Sequence, residues 1–288
     1  MSRPKVIAVV GPTASGKTAY AVSLAQKING EIISADSRLV YKGFDIGTAK
    51  PTFEERQGIE HYLIDIVEPE VDYSAGLWVK DAQSAIREII KKGKTPIIAG
   101  GTGLYFRLLL ESYEMPNVKP DKELRAELEK LSFEELKQRL EKSDKAAADT
   151  IFDNDKKKLI RYIEIVETSG KTLENVRGKN GDCPYEVEWI GLNFPRAELY
   201  ERINRRVDLM IEQGLVEETK KLLDKHGRIP NLVDTIGYRE IIKYLDGEYD
   251  LQTASEILKQ NSRRYAKRQL TWFRANENIK WNVYPVKE

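Results

Sequence analysis

Eight residues near the start of the chain have the composition and spacing of a phosphate-binding loop. They are Gly11, Pro12, Thr13, Ala14, Ser15, Gly16, Lys17 and Thr18. Glycines let backbone amides turn toward an anion, and the N-terminus of a following helix adds positive potential. Lys17 would reach two phosphates, and the Thr18 hydroxyl would contact Mg²⁺ or a phosphate oxygen. The pattern predicts a diphosphate or triphosphate ligand without specifying ATP.

Polar residues also follow two later apolar runs. Asp36 comes directly after the run 32–35, and Thr102 lies in a Gly-Gly-Thr-Gly sequence after the run 95–99. Ligands of open α/β sheets bind at the carboxyl ends of the strands, so these residues could share a cleft with the phosphate-binding loop. A carboxylate there could accept a proton from a nucleophile. Spacing alone leaves two alternatives open: Asp36 as a helix cap or turn residue, and Thr102 as part of a flexible turn.

The elements that would position these residues alternate between strands and helices. We predict strands at 6–10, 32–35, 62–67 and 95–99, helices at 17–28 and 77–90, and a further strand at 186–192. Two or three helices should follow, ending at Phe273. Strands alternating with helices indicate a parallel sheet. The predicted fold class is therefore α/β, a P-loop parallel sheet flanked by helices.

A different pattern begins near Tyr113. Turn-forming residues at 114–120 precede leucines at helical spacing among charges, and Ser132 with Glu135 forms a candidate capping box. Another helix should begin at Asn154 and Asp155. We predict a helical insertion domain at 113–185, which divides the catalytic core into 1–112 and 186–288.

Composition excludes several classes of protein. The 288 residues are 41% hydrophobic and 32% charged, as in soluble globular proteins. The early apolar run is too short for a membrane span, and the single cysteine, Cys183, allows no internal disulfide. With His61 and His226 it makes no zinc site. We therefore expect a cytoplasmic protein with no membrane partner.

The net charge of +1 means that any nucleic-acid site must arise from local positive charge. One basic cluster lies on the segment 261–274, which has no acidic residue, and a second lies on the insertion. The first contains Arg263, Arg264, Lys267, Arg268 and Arg274, and the second contains Lys156, Lys157, Lys158 and Arg161. Taken alone, such a run is best explained as a solvated helix face; beside Trp272 and together with the family resemblance that follows, contact with RNA phosphates becomes the better interpretation.

Several of these segments together carry a family resemblance. They are the phosphate-binding loop, Ser-Ala-Asp-Ser at 34–37, Asp-Ile-Gly-Thr-Ala-Lys-Pro at 45–51, Ala-Gly-Gly-Thr-Gly-Leu-Tyr at 99–105, Glu-Arg-Ile-Asn-Arg-Arg-Val-Asp at 201–208, Ile-Gly-Tyr-Arg-Glu at 236–240 and the run 264–274. The chain resembles the tRNA dimethylallyltransferase family, in its bacterial type because it shows no C-terminal zinc-finger extension. It departs from the family at Leu39, often glutamine, and at 154–155, where many members have Pro-Asn.

The resemblance implies a reaction and roles for specific residues. Dimethylallyl diphosphate would donate its prenyl group to N6 of the adenosine 3′ of the anticodon. The loop 11–18 would bind the diphosphate, with Lys17, Thr18 and Mg²⁺ at its oxygens. Asp36 would orient the N6 amine or accept its proton. Thr102 and Arg206 would stabilise the departing charge, a contribution that is often the largest in such catalysis.

The expected partners are a tRNA anticodon stem-loop and dimethylallyl diphosphate, with the protein as a monomer. The target adenosine should flip out of its stack into a channel ending at Asp36, and the two basic clusters would hold the stem. Tyr238 is either a stacking partner for a base or a core residue. The residues expected to contact tRNA are Asp36, Ser37, Arg38, Leu39, Thr102, Arg125, Lys157, Lys158, Leu159, Ile160, Arg161, Asp234, Thr235, Ile236, Gly237, Tyr238, Arg239, Arg264 and Arg268.

Three other functions remain open on the residues alone. A small-molecule kinase would place ATP on the loop and use the insertion as a lid, but it leaves the basic C-terminal helix unexplained. A prenyltransferase acting on free adenine nucleotides would share the chemistry without an RNA site. A nucleotide-switched RNA-binding protein would bind GTP or ATP and transfer no prenyl group.

Overall fold

A computed structural model describes residues 3–111, 113, 116, 118, 121–151, 155–176 and 182–283. These residues form one sheet of six strands, all parallel, in the order β3-β2-β4-β1-β5-β6. The strands are β1 (Lys5–Val10), β2 (Gly30–Ala35), β3 (His61–Tyr62), β4 (Thr95–Gly100), β5 (Glu186–Asn193) and β6 (Lys280–Val283). This sheet confirms the predicted α/β class.

The inner strands β1 and β2 are buried along almost their whole length because helices cover both faces of the sheet. Five of the six residues of β1 and all six of β2 are buried. A parallel sheet covered on both faces selects continuous apolar strands rather than an alternating pattern. Its helices are α1 (Lys17–Ile28), α2 (Phe53–Arg56), α3 (Ala75–Lys91), α4 (Gly103–Leu110), α10 (Arg196–Glu212), α11 (Leu215–His226), α12 (Pro230–Val233), α13 (Tyr238–Leu245) and α14 (Leu251–Arg274).

Two details of the predicted elements were wrong, and one strand was not predicted. The strand predicted at 62–67 ends at Tyr62, because Leu63 (φ 64°) and Asp65 (φ 57°) adopt a left-handed conformation that a strand cannot continue through. Five helices, not two or three, lie between β5 and the end of α14. The sequence also gave no prediction of β6, whose four residues pair with β5.

Contacts divide the chain into two compact units, one of residues 1–110 with 184–288 and one of residues 111–183. The predicted boundaries, at 113 and 185, lie two residues from these. The second unit contains helices α5 (Lys122–Leu128), α6 (Phe133–Ser143), α7 (Lys145–Asp149), α8 (Lys156–Ser169) and α9 (Leu173–Val176). The predicted turn residues Glu114, Met115, Asn117, Lys119 and Pro120, and the predicted helix start at Asn154, lie outside the described residues.

The second unit has its own core, built on leucines at helical spacing. Leu128, Leu136 and Leu140 are fully buried, and the predicted capping box of Ser132 and Glu135 is present at the start of α6. Helix α8 begins after Asp155, whose side chain accepts a hydrogen bond from the Lys158 amide.

Within the described ranges, no helix combines the length needed to cross a bilayer with a sufficiently apolar composition.

Candidate active site

Three strand ends lie side by side at one edge of the sheet. Val10 of β1 is in register with Gly100 of β4, which is in register with Ala35 of β2. The phosphate-binding loop, Asp36 and the glycine turn after β4 therefore start from neighbouring positions. The parallel register thus brings together the chemistry that the sequence carries in three separate segments.

The conformation of the phosphate-binding loop depends on its first glycine. Gly11 has φ 153°, and a Cβ there would lie 2.3 Å from the carbonyl oxygen of Leu192 on β5. Ser15 is buried, and Lys17, near the end of the loop sequence, is the first residue of α1. The Lys17 Nζ atom donates a 2.6 Å hydrogen bond to the Pro12 carbonyl oxygen. The Lys17 side chain is thus turned back toward the loop.

Two cationic side chains, Lys17 and Arg206, contact this loop. Arg206 of α10 donates to the Thr13 hydroxyl at 3.1 Å and to the Ala49 carbonyl oxygen at 3.3 Å. Lys17 and Arg206 are surrounded by protein, although both retain some contact with solvent. Burial lowers the pKa of Lys17 to about 7, helped by Arg206 and opposed by Asp36. Burial also lowers the pKa of Arg206. Such a pair favours an anionic ligand, which would relieve the repulsion between them.

Asp36 begins a tight turn beside these cations. Its Oδ1 atom accepts a 2.8 Å hydrogen bond from the Arg38 amide. The alternative of a turn residue is therefore correct as far as it goes, but one oxygen in a turn leaves a second oxygen for other partners. Asp36 lines the same pocket as Lys17 and Arg206. Its charge raises the pKa of both cations, which shows that it is electrostatically coupled to them.

Thr102 has a structural partner that the sequence did not reveal. Its hydroxyl oxygen accepts a 3.1 Å hydrogen bond from the Ser37 amide, and its own amide donates to the Ala35 carbonyl oxygen. It holds the turn after β2 against the turn after β4, and its neighbour Gly101, not Thr102 itself, lines the pocket. The catalytic role of Thr102 stays a prediction.

Sequence reasoning missed Gln269, which joins two of these segments. Its Oε1 atom accepts from the Thr13 amide at 2.8 Å, and its Nε2 atom donates to the Gly101 carbonyl oxygen at 2.9 Å. Gln269 is buried. It stands four residues after Tyr265 and three after Ala266, on the apolar side of α14. A polar residue on an apolar helix face was the available signal.

These segments enclose a pocket of about 410 Å³. Part of its lining is polar, and another part is formed by buried apolar residues of α10 and α14. The apolar residues are Ile203, Val207, Met210 and Leu258. Thirteen of the residues selected from the sequence line this pocket. They are Thr13, Lys17, Thr18, Asp36, Ser37, Arg38, Leu39, Arg206, Asp234, Thr235, Ile236, Arg239 and Arg268.

Other residues expected to contact tRNA do not line the pocket. Tyr238 is fully buried and donates to Glu218 at 2.7 Å, so its interpretation as a core residue is correct and base stacking by this ring is not supported. Gly237, with φ 107°, precedes it in the turn. Arg264 is exposed on α14, one turn before Arg268.

The chain is similar in sequence to proteins of one family. The family model described as IPP transferase matches residues 39–276. The tRNA dimethylallyltransferase of Carboxydothermus hydrogenoformans is 47% identical over 283 residues, covering 96% of this chain and 91% of that protein. The chain belongs to the tRNA dimethylallyltransferase family.

Solved structures of the family agree with this assignment. The tRNA isopentenylpyrophosphate transferase of Bacillus halodurans has a TM-score of 0.74 at 43% identity, covering 98% of this chain and 90% of that one. A eukaryotic dimethylallyltransferase acting on tRNA has a TM-score of 0.82 at 28% identity, covering 97% of this chain and 74% of that one. Membership in a family of enzymes excludes the non-catalytic RNA-binding alternative.

The insertion residues selected from the sequence divide into two groups. Leu159 and Ile160 are buried in the core of that unit, so their side chains are not available for contact with RNA. Arg125 and Arg161 are partly exposed and pair with the buried carboxylate of Glu164.

Two lysines near the start of α8 differ in exposure. Lys157 is exposed, and Lys158 extends over the ring of Tyr162 at 5.4 Å and donates to the Thr150 carbonyl oxygen at 3.3 Å. These two lysines and the two arginines remain predicted contacts with RNA.

The pocket residues can be compared with the ligands that the expected Mg²⁺ would need. Among the described residues, no three acidic, histidine or cysteine side chains converge to hold a metal ion by themselves. Thr18 and Asp36 do supply oxygen atoms to the pocket. Mg²⁺ commonly uses one or two protein oxygens together with substrate phosphates and water. The residues present therefore fit a metal that arrives with a diphosphate.

Proposed function

We propose that this enzyme transfers a dimethylallyl group from dimethylallyl diphosphate to N6 of the adenosine 3′ of the anticodon in tRNA. The observation that carries the proposal is one pocket with three kinds of wall: an anion site at Lys17 and Arg206, a carboxylate at Asp36, and an apolar wall on α10 and α14. A prenyl diphosphate requires the first and the third, and an amine nucleophile requires the second.

The reaction assigns a task to each wall. The N6 amine attacks C1 of the prenyl group, the bond between C1 and the diphosphate oxygen breaks, and the diphosphate leaves with the electron pair. Lys17 and Arg206 stabilise the charge that develops on that oxygen. Asp36 accepts the proton that N6 loses. Mg²⁺, held by Thr18 and the diphosphate, would supply further neutralisation of the leaving group.

The RNA would approach along the rim of the pocket. Arg38, Arg239 and Arg268 line the pocket and carry charge that matches phosphates. Arg264 continues this row along α14, and the lysines at the start of α8 would add contacts from the insertion. We take the enzyme to be a cytoplasmic monomer, in the compartment of its tRNA substrate.

The test offers dimethylallyl diphosphate and Mg²⁺ to the enzyme with one of two acceptors. One is an anticodon stem-loop with adenosine 3′ of the anticodon, and the other is AMP. Asp36→Asn keeps the shape of the side chain and removes its basicity, so it should abolish most transfer. Asp224→Asn, at an exposed site on α11, is the matched control.

Prenylated stem-loop made by the wild type and by Asp224→Asn, but not by Asp36→Asn, supports the proposal. Product on AMP alone would indicate a free-nucleotide prenyltransferase. ATP turnover without prenyl transfer would indicate a kinase. Full transfer by Asp36→Asn would remove the proposed role of the carboxylate.

A further inference from the structure

The segment 45–50 forms a loop whose backbone is held by a carboxylate on α11. The Oε2 atom of Glu218 accepts from the Ile46 amide at 2.9 Å, and its Oε1 atom accepts from the Gly47 amide at 2.9 Å. Oε1 also accepts from the Tyr238 hydroxyl at 2.7 Å. Three donors from two distant segments of the chain therefore converge on one side chain. Such a carboxylate has one stable orientation and holds the backbone that binds it.

Tyr238 completes this attachment by packing against the loop. A Cβ at Gly47 would lie 2.4 Å from its ring, and the Phe44 ring meets it edge-on with centroids 4.9 Å apart. Burial and the nearby Glu218 raise the pKa of the Tyr238 hydroxyl, which therefore remains a donor. Glycine is required at position 47 because any side chain would displace this ring.

The other end of the loop reaches the active site. The Ala49 amide donates to the Ile46 carbonyl oxygen at 2.9 Å, so the turn transmits the position of Ile46 to Ala49. The Ala49 carbonyl oxygen accepts from Nη2 of Arg206, whose Nη1 donates to Thr13 of the phosphate-binding loop. Gly47, Thr48 and Ala49 all line the pocket, whereas Glu218 does not.

We propose that Glu218, together with Tyr238, is a positioning residue for Arg206. It holds the loop 45–50 so that the Ala49 carbonyl aims the guanidinium at the place where the diphosphate departs. The inference rests on the proposed function, because the effect of this aim is expressed in prenyl transfer. Lys50, which pairs with Asp45 and Asp65, anchors the same loop independently. Loss of Glu218 should therefore misalign Arg206 without unfolding the loop.

Glu218→Gln tests the proposal because it keeps the size of the side chain. It replaces one acceptor oxygen by an NH₂ group, which cannot accept the hydrogen bonds that the carboxylate accepts. We expect kcat for transfer to the stem-loop to fall about tenfold, since at least one of the three donors, the Tyr238 hydroxyl and the two loop amides, would then meet an amide donor in place of a carboxylate oxygen. Arg206→Gln should fall about 100-fold to 1,000-fold. In the Arg206→Gln background, Glu218→Gln should cost less than about twofold, because residues that act through one group are not additive. Glu217→Gln, the exposed neighbour, is the matched control and should stay within about twofold of wild type.

Two results would overturn the inference. One is a Glu218→Gln variant that transfers at the wild-type rate. The other is an equal loss in both backgrounds, which would indicate general destabilisation. Tyr238→Phe, which removes one hydroxyl, is used in the same two backgrounds if Glu218→Gln does not fold, with about threefold loss expected in the first background only. Absence of transfer by the wild type would instead count against the proposed function.

Discussion

The protonation of Lys17 should make binding of the donor depend on pH. The empty pocket disfavours the charged lysine through burial and Arg206, which brings its pKa to about 7. A diphosphate favours the charged form, so it raises that pKa on binding. Binding above pH 7 must therefore take up a proton, and the affinity should fall as pH rises.

The magnitude follows from the titration. With a pKa of about 7, roughly one-tenth of the empty enzyme is neutral at Lys17 at pH 6 and roughly nine-tenths at pH 8. If the complex keeps the lysine charged, the Kd for dimethylallyl diphosphate should rise about tenfold between pH 6 and pH 8, which corresponds to about 1.4 kcal/mol. A further rise of about tenfold should follow at pH 9.

Isothermal titration calorimetry in buffers of different ionisation enthalpy measures both the Kd and the number of protons taken up on binding. At pH 8 the wild type should take up about 0.9 proton for each diphosphate bound, beyond the uptake by Lys17→Met. The Lys17→Met control binds the same ionising ligand and keeps all other titrating groups of the pocket. The difference in proton uptake between the two proteins therefore reports on Lys17. An uptake identical in the two proteins would refute the reasoning about Lys17.

Folding of the empty protein provides a second check with a defined sign. Between pH 7 and about 10.5 the unfolded chain holds a proton on Lys17 that the folded chain has lost. The free energy of unfolding of the wild type, relative to Lys17→Met, should therefore rise with pH in this window by up to about 1.4 kcal/mol per unit. A relative decline would contradict the lowered pKa.

Three further predictions concern single side chains. Gln269→Leu removes both bonds that join the phosphate-binding loop to the glycine turn, so diphosphate affinity measured by calorimetry should weaken by about 1–3 kcal/mol, whereas exposed Gln260→Leu should not change it. Gly47→Ala should lower the free energy of unfolding in urea by about 1–3 kcal/mol through overpacking, and unchanged stability would exclude the close contact at this glycine. Glu164→Ala removes the buried carboxylate that pairs with Arg125 and Arg161 and should destabilise the insertion by about 1–3 kcal/mol, seen as loss of hydrogen-exchange protection in α8, while the more exposed Glu167→Ala should cost under about 1 kcal/mol.

The sequence predicted the parts of the site that depend on local chemistry. The phosphate-binding loop needs glycines and a lysine at set spacing, and Asp36 follows a buried strand, so both are visible in consecutive residues. Parallel topology then brings them to one edge of the sheet, which the alternation of strands and helices already indicated. The fold class was predictable for the same reason, because burial on both faces dictates continuous apolar strands.

Long-range pairing was not predictable from these patterns. Gln269 bonds to Thr13 across 256 positions of sequence, and no local property of either residue announces the other. The strand predicted at 62–67 failed because its apolar residues fit a strand while Leu63 and Asp65 adopt left-handed conformations. Leu159 and Ile160 were selected as RNA contacts by position in a motif, although the periodicity of α8 turns them into the core.

The phosphate-binding loop is completed by residues from the far end of the chain, and this bears on the kind of anion it serves. The Thr13 amide is engaged by Gln269, and the Ala14 carbonyl oxygen accepts from Arg202 at 2.9 Å. Because the Thr13 amide is engaged, the loop has one backbone donor fewer to offer an anion, and more of the positive potential there comes from Lys17 and Arg206. A full positive charge responds more steeply to added negative charge than a neutral dipole does. Under the proposed function, an anion site built in this way suits a diphosphate that gains charge as it departs, and residues of helices α10 and α14 would then take part in binding it.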